Sequence, residues 1–301
     1  MPSWFLLRIY IILTETGKKS TPVGAKRGAT PPSFLARSGV HSTPIRAEMG
    51  NIVVSDVKSA TRVMHILTLL RDHPLGLTLS EVSKLLEIPK SSAHELLHSM
   101  VHENYLKVRG NRYSLGLKVF EIGRAAARSS DLLQYARPTM KWIAQELNES
   151  VQLAALDGTE VVYLSKYQPR RDIRLESEVG ARLPSYATAL GKALLSTYTE
   201  EEIDEKFADY HFERFTPRTI TSLEQLKREL EGVRLTGFAR DRGEYTEDIF
   251  CYARPIKDHN NRAVAAISVS MPKDSASYRD WLLTILSEGT NSLSEKVQAI
   301  S

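Results

Sequence analysis

The stretch that most constrains this chain is LTLSEVSKLLEIPKSSAHELLHSMV, Leu77 to Val101. Two short amphipathic segments flank a break at Glu87-Ile88-Pro89. Thr78 and Glu81 stand in capping-box register, where the hydroxyl of one and the carboxylate of the other each satisfy a backbone amide. Leu77 and Val82 occupy the positions of a hydrophobic staple. The second segment sets Ala93, Leu96, Leu97, Met100 and Val101 at helical spacing on one stripe. Lys90, Ser91, Ser92, His94, Glu95 and His98 fall on its other face. A short helix, a tight break and a second helix with a small polar first half form a helix-turn-helix pattern.

The neighbouring segments extend that pattern. Val57 to Leu70 reads as a preceding helix, with Ala60, Val63, Met64, Leu67 and Leu70 as its apolar stripe and Asp72-His73-Pro74 as its end. Downstream, Tyr105–Val108 and Tyr113–Leu115 flank Arg109-Gly110-Asn111-Arg112, a hairpin placed where a winged helix has its wing. Lys107, Arg109 and Arg112 cluster there, suited to backbone phosphates or a minor groove. Serines and amides at the start of the second helix suit phosphate, and His94, Glu95 and His98 can reach base edges. Double-stranded DNA is therefore the expected partner. RNA is disfavoured, because the reading helix lacks aromatic residues on which single-stranded bases stack.

Charge is unevenly spread. Residues 1–50 carry a net +5, residues 51–130 a net +4 and residues 131–301 a net −5. A basic segment around the helix-turn-helix beside an acidic larger part suits one part that meets phosphates and one that does not. The single cysteine, Cys251, excludes an internal disulfide and a cysteine-rich zinc site, and points to a reducing, cytoplasmic setting. No apolar run is long enough to span a membrane. No cofactor or metal is expected. Cys251 as a nucleophile lacks a positioned base, since the histidine near it in sequence, His259, falls on an expected turn; no phosphate loop, nucleophile elbow or metal motif is present, so enzymatic function is not expected.

Residues 1–50 read as an extension without a core. WFLLRIYIIL is broken by Arg8, and the aperiodic run rich in Gly, Pro, Ser, Thr, Lys and Arg that follows cannot pack. It is either a disordered tail or the product of a start assigned too far upstream of Met49. Residues 51–116 form the expected winged helix-turn-helix domain. Residues 117–130 form a linker helix whose apolar residues on both sides suggest packing against a second copy.

From Asp131 the pattern becomes α+β. A helix is expected over Leu132–Leu147, and strands at Val151–Leu156, Glu160–Tyr167 and near Arg171–Glu178. Helices follow at Thr188–Tyr198, from Thr199, and at Leu223–Leu235. Strands at Phe238–Arg242, Phe250–Ile256 and Ala263–Val269 precede a closing helix over Ser277–Ala299. Strands joined by hairpins, with helices at the periphery, indicate a sensor domain over 131–301 with a largely antiparallel sheet.

Four ordered segments carry a resemblance to the IclR-type bacterial transcription regulators. They are IPKSSAHELLHSMVHENYL, YSLGLKVFEIG, VGARLPSYATALGKALLS and GFARDRGEYTEDIFCYARPIKDHNNRAVAAISVSMP. The resemblance covers about residues 55–301; residues 1–50 have no counterpart in it. It implies a winged-helix reader joined to a GAF-like effector domain, assembled as homodimers or as dimers of dimers on operator DNA. It also implies small organic acids or aromatic metabolites as effectors. By position it carries over Leu175, Leu183, Ala189, Leu190, Asp241, Cys251, Ser268 and Ser270 as effector contacts. Ser268 and Ser270 are two apart on one strand and share a face, with Ile267 and Val269 opposite. Arg240 or Arg242, if turned inward, would favour an anionic effector. The implied function is an effector-responsive regulator of a metabolic or catabolic operon. The alternative is an oligomeric scaffold with a vestigial pocket.

Overall fold

The computed structural model describes residues 57–169, 178–273 and 279–299. The N-terminal extension and Leu175 lie outside them, as does the strand expected near residues 171–178 apart from Glu178.

The first part comprises helix α1 (Lys58–Arg71), strand β1 (Leu77–Thr78), helices α2 (Leu79–Leu85) and α3 (Lys90–His102), and strands β2 (Leu106–Arg109) and β3 (Arg112–Leu115). Its core is Ile66, Leu70, Leu77, Val82, Leu97, Met100 and Leu106. Burying each such side chain contributes about 1.5–3 kcal/mol. Ile66 and Leu70 are the buried residues of α1, with Val63 and Leu67 packed beside them, while Ala60 and Met64 are exposed. The stripe expected from the sequence was thus rotated by part of a turn. The first residues of α1, Lys58 to Ala60, are exposed, so the start of the helix does not report the packed face.

The capping box is present: the Glu81 amide donates to Thr78 Oγ1 (3.3 Å) and the Thr78 amide to the Glu81 carboxylate (2.7 Å). After α2 the chain turns through Glu87, whose φ of 52° lies in the left-handed region. The Ser83 hydroxyl donates to Ile88 O (2.7 Å) and holds that turn. Pro89, with φ preset for a helix start, then opens α3. β1 was not foreseen. It pairs antiparallel with β3, so the sheet has three strands in the order β1-β3-β2. Gly76 makes this approach possible: its φ is +80°, and a Cβ there would lie 2.7 Å from the Tyr113 carbonyl oxygen. The wing turns at Gly110-Asn111, with Arg109 paired to Arg112, so each strand is one residue longer at the turn than expected.

Helix α4 (Leu117–Arg128) follows and contains no buried residue. Helix α5 (Asp131–Leu147) starts at Ser130, whose hydroxyl accepts from the Leu133 amide, and ends at Asn148 in the left-handed region. Then come β4 (Ser150–Asp157), β5 (Glu160–Tyr167), β6 (Arg182–Pro184), a single 3-10 turn at residues 185–187, and helices α6 (Ala189–Leu195), α7 (Glu200–Phe207) and α8 (Leu223–Thr236). Strands β7 (Ala239–Arg242), β8 (Ile249–Lys257) and β9 (Ala263–Pro272) and helix α9 (Arg279–Gln298) complete the described chain. The six-stranded sheet has the order β6-β5-β4-β9-β8-β7 and every pairing is antiparallel.

The sheet separates two apolar layers. On one side Val151, Leu153, Ile256, Ala265, Ile267, Val269 and Met271 pack with Met140 and Ile143 of α5 and Leu286 and Leu293 of α9. On the other, Ala154, Val161, Tyr163, Ala239, Ala253 and Ala266 pack with Ala189, Leu190, Ala193 and Leu194 of α6. Small residues on the sheet let α6 lie close to it. Gly191 brings the preceding 3-10 turn close as well, since a Cβ there would sit 2.1 Å from Ser185 O.

Candidate nucleic-acid interface and ligand pocket

Helix α3 turns Ala93, Leu97 and Met100 into the core and leaves Lys90, Ser91, His94, Glu95 and His98 exposed, with Ser92 half-buried. Every polar residue expected on the reading face therefore lies on or beside the solvent side of one helix. The His94 and His98 rings lie 6.3 Å apart along it. Because Pro89 is the N-cap, no side chain caps α3, and its first amides point outward beside Ser91 and Ser92. On the wing, Lys107 and Arg109 are exposed and share one face of β2. Arg112 has a second task. Its Nη1 donates to the Gly76 carbonyl (2.7 Å) and lies 3.5 Å from the Glu81 carboxylate, while about half of its side chain stays exposed. It ties the wing to the start of the helix-turn-helix.

In the second part, strand register brings distant residues into one row. Asp241 on β7 is opposite Cys251 on β8, which is opposite Ser270 on β9, which is opposite Ser150 on β4. The next row contains Ala239, Ala253, Ser268 and Gln152. Both rows lie on the α6 side of the sheet, because Ile267 and Val269 alternate to the other side as expected. Cys251 Sγ and Ser270 Oγ are 3.1 Å apart. The Ser268 and Ser270 hydroxyls both donate to Gln152 Oε1, at 2.9 and 3.1 Å. Leu183 on β6 is half-buried opposite Val161 and packs against the same layer. Ala189 and Leu190 are buried at the start of α6, where the Thr188 hydroxyl already accepts from the Gly191 amide (3.1 Å).

Charges are concentrated at one end of these rows. Asp241 is buried, and the Glu244 amide donates to its Oδ1 at 2.6 Å. Burial dominates and pushes the Asp241 carboxyl up to about 7. Lys192 of α6 is fully buried; its Nζ lies 2.7 Å from each oxygen of Glu244 and 3.4 Å from Glu229. Burial also raises Glu244 above the usual carboxylate range, against the opposing pull of Lys192. The Cys251 thiol is pushed well up by burial and stays protonated at neutral pH. Tyr163 is raised for the same reason.

Arg240 and Arg242 do not turn inward. The alternation that buries Asp241 sends Arg240 to the Tyr252 ring (5.8 Å) and leaves Arg242 half-exposed, 3.8 Å from Glu229. The polar groups of these rows are therefore neutral or acidic, and the nearby buried cation Lys192 is bound to Glu244. The sequence reading missed Gln152, Lys192 and Glu244. The clue for Gln152 was a lone amide between Val151 and Leu153 in a strand otherwise apolar on both faces. Lys192 and Glu244 are 52 residues apart, and nothing local pairs them.

The chain is similar to known proteins over most of its length. The IclR helix-turn-helix domain model matches residues 59–110, and the model of the C-terminal domain of the bacterial transcriptional regulator IclR matches residues 124–295. The chain belongs to the IclR family. It is 34% identical over 219 residues to the transcriptional regulator KdgR of Escherichia coli, covering 72% of this chain and 82% of that protein. It is 32% identical over 216 residues to the Escherichia coli regulator XynR, covering 71% and 86%. Among solved structures, an IclR homologue from Microbacterium hydrocarbonoxydans complexed with 4-hydroxybenzoate superposes with a TM-score of 0.70 at 26% identity, covering 80% of this chain and 99% of that one. Like its family, the chain is a transcription regulator with a DNA-binding helix-turn-helix domain and a C-terminal effector domain. Its homologues are regulators, and among the described residues no helix is long and apolar enough to cross a membrane.

Proposed function

We propose that the chain is a homodimeric, cytoplasmic regulator of a metabolic or catabolic operon, whose pocket takes a small organic or aromatic acid. Residues 51–116 serve as the reader, 117–130 as the linker and 131–301 as the effector and oligomerisation domain. The observation that carries the effector reading is the set of polar side chains on the α6 side of the sheet, with Asp241, Ser268 and Ser270 buried and Cys251 half-buried beside an otherwise apolar layer. Burying polar groups is costly unless they are satisfied, and a scaffold with a vestigial pocket gives no reason to keep them. Leu183, Ala189 and Leu190 form apolar walls beside the row, and Leu175 completes the set carried over from the family. With neutral donors on this face, a carboxylate is received by hydrogen bonds rather than by an ion pair. That the Microbacterium homologue was crystallised with 4-hydroxybenzoate supports an acid of this kind.

At the other end, α3 enters the major groove. Lys90, Ser91 and Ser92 meet phosphate there, and His94, Glu95 and His98 lie near base edges. Lys107 and Arg109 of the wing contact the backbone, and Arg112 supports them by fixing the wing. The exposed apolar residues of α4, Leu117 at 70%, Phe120 at 64% and Ile122 at 48%, support pairing with a second copy. Ligand binding then shifts an equilibrium between arrangements of the two heads, and with it operator affinity.

Salt dependence tests the head. In titrations of operator DNA from 50 to 200 mM salt, Lys107→Ala or Arg109→Ala lowers the slope of log K against log salt by about 0.9 per head, hence by roughly two units for a dimer. Affinity falls to a similar extent on every operator variant. A loss confined to one base position refutes the phosphate assignment.

A further inference from the structure

The Gln152 amide is 1% exposed, and its two ends are treated differently. Its Oε1 accepts two hydroxyl donors, Ser268 and Ser270, and the second serine is itself 3.1 Å from the Cys251 thiol. Its Nε2 is buried and has no hydrogen-bond partner. A buried donor left unmade costs as much as a lost hydrogen bond, so a native site seldom retains one without a purpose. Polarity runs one way along the row. The thiol can donate to Ser270 Oγ, both serines donate to Oε1, and the NH2 group ends the chain with its protons unused. Strand register puts this terminus on the α6 side of the sheet, in the row next to Asp241, Cys251 and Ser270.

We propose that Gln152 is the specificity-determining donor of the pocket, and that its Nε2 binds a carbonyl or carboxylate oxygen of the effector while Ser268 and Ser270 hold the amide in that orientation. The inference rests on reading this face as the effector pocket and adds a residue and a ligand atom type to it. It favours ligands that present a carboxylate or carbonyl oxygen over those that present a hydroxyl, because a charged acceptor makes a stronger hydrogen bond to Nε2 than a neutral hydroxyl oxygen does. Asp241, at the charged end of the neighbouring row, lies across the β8 and β9 strands from it, so the acid group is bound at Gln152 and not at the carboxyl.

The test uses the full-length protein and two readouts. Calorimetric titration compares wild type and Gln152→Met with 4-hydroxybenzoate, with 4-hydroxybenzyl alcohol and with a series of two- to six-carbon unbranched carboxylates. Losing a hydrogen bond to a charged group weakens the acids by about tenfold to a hundredfold, whereas losing one to a neutral hydroxyl weakens the alcohol by about tenfold or less. Equal acid binding by wild type and Gln152→Met overturns the proposal. So does a wild type that prefers the alcohol, because the amide then presents its oxygen to the ligand. The second readout needs no ligand. Gln152→Met/Ser268→Ala/Ser270→Ala replaces the whole polar floor by apolar groups, which is near neutral or stabilising when one member was unsatisfied. A ligand-free Tm at or above that of wild type is expected. A Tm several degrees lower makes the amide a structural group and overturns the proposal. If wild type binds none of the acids, the acid-effector reading fails on its own account, and the Tm comparison still decides the role of the amide.

Discussion

Replacing Lys192 by methionine removes the cation at the centre of the effector domain. The Lys192 side chain has no exposure, and Glu244, whose two carboxylate oxygens it holds at 2.7 Å, is 6% exposed. Glu229, the second acid, is about a quarter exposed and regains water when the cation is lost. Glu244 cannot. Removing one partner of a buried ion pair costs about 3–5 kcal/mol, most of it the penalty for the charge left behind. At about 2–4 °C per kcal/mol for a domain of this size, Lys192→Met lowers Tm by roughly 6–20 °C. Scanning calorimetry at pH 7 measures this directly. The double variant Lys192→Met/Glu244→Gln recovers most of the loss, because it removes the stranded charge. The pH dependence has a definite sign. Burial already raises the Glu244 carboxyl, with Lys192 as the main opposing influence. In the variant that influence is gone, so the folded-state pKa rises further above the unfolded value. The neutral form is then favoured by folding, its contribution is complete at acid pH, and it is lost as pH rises through the folded pKa. The deficit of Lys192→Met therefore shrinks on going from pH 8 to pH 5. A deficit below about 1 kcal/mol at pH 7, or a double variant as unstable as the single one, refutes this account.

Further outcomes follow from other positions. Asp241, with its carboxyl raised to about 7, contributes stability that is complete below about pH 4 and lost as pH rises through 7; Asp241→Asn flattens the wild-type decline over that window, and an unchanged profile contradicts the assignment. Gly191→Ala places a Cβ 2.1 Å from the Ser185 carbonyl oxygen and 2.2 Å from its Cα, both backbone atoms, so denaturant titration is expected to show a loss of about 3 kcal/mol or failure to fold. Phe120→Glu puts a charge on the exposed apolar face of α4 and is expected to convert dimer to monomer in light scattering at micromolar concentration; an unchanged mass removes α4 from the interface.

The sequence was most informative where interactions are local. Thr78 and Glu81 are three residues apart, and their capping box formed. The α3 stripe and the Ser268–Ser270 alternation follow from helix and strand periods alone and also formed. Long-range interactions were not readable. β1 is two residues long and exists only because Tyr113 and Arg112 pair with it from 34 or more residues away. β6 is three residues paired to the start of β5. The Gln152 hydrogen bonds span 116 and 118 residues, so the sequence offered the four carried-over polar positions without the amide that joins two of them. The inward-turned arginine failed for a local reason that was available: Arg240 and Arg242 alternate with Asp241 on the same strand, and burying the acid turns both away.

Coupling of DNA reading to acid binding within one chain is measured by a mobility-shift titration on the DNA upstream of the chain's own gene, in excess nonspecific competitor, with and without 4-hydroxybenzoate and the small carboxylates. A specific complex is expected whose affinity one or more acids change in wild type, and change far less in Gln152→Met. A specific complex indifferent to every acid contradicts the coupling, and the absence of any specific complex contradicts the DNA reading itself.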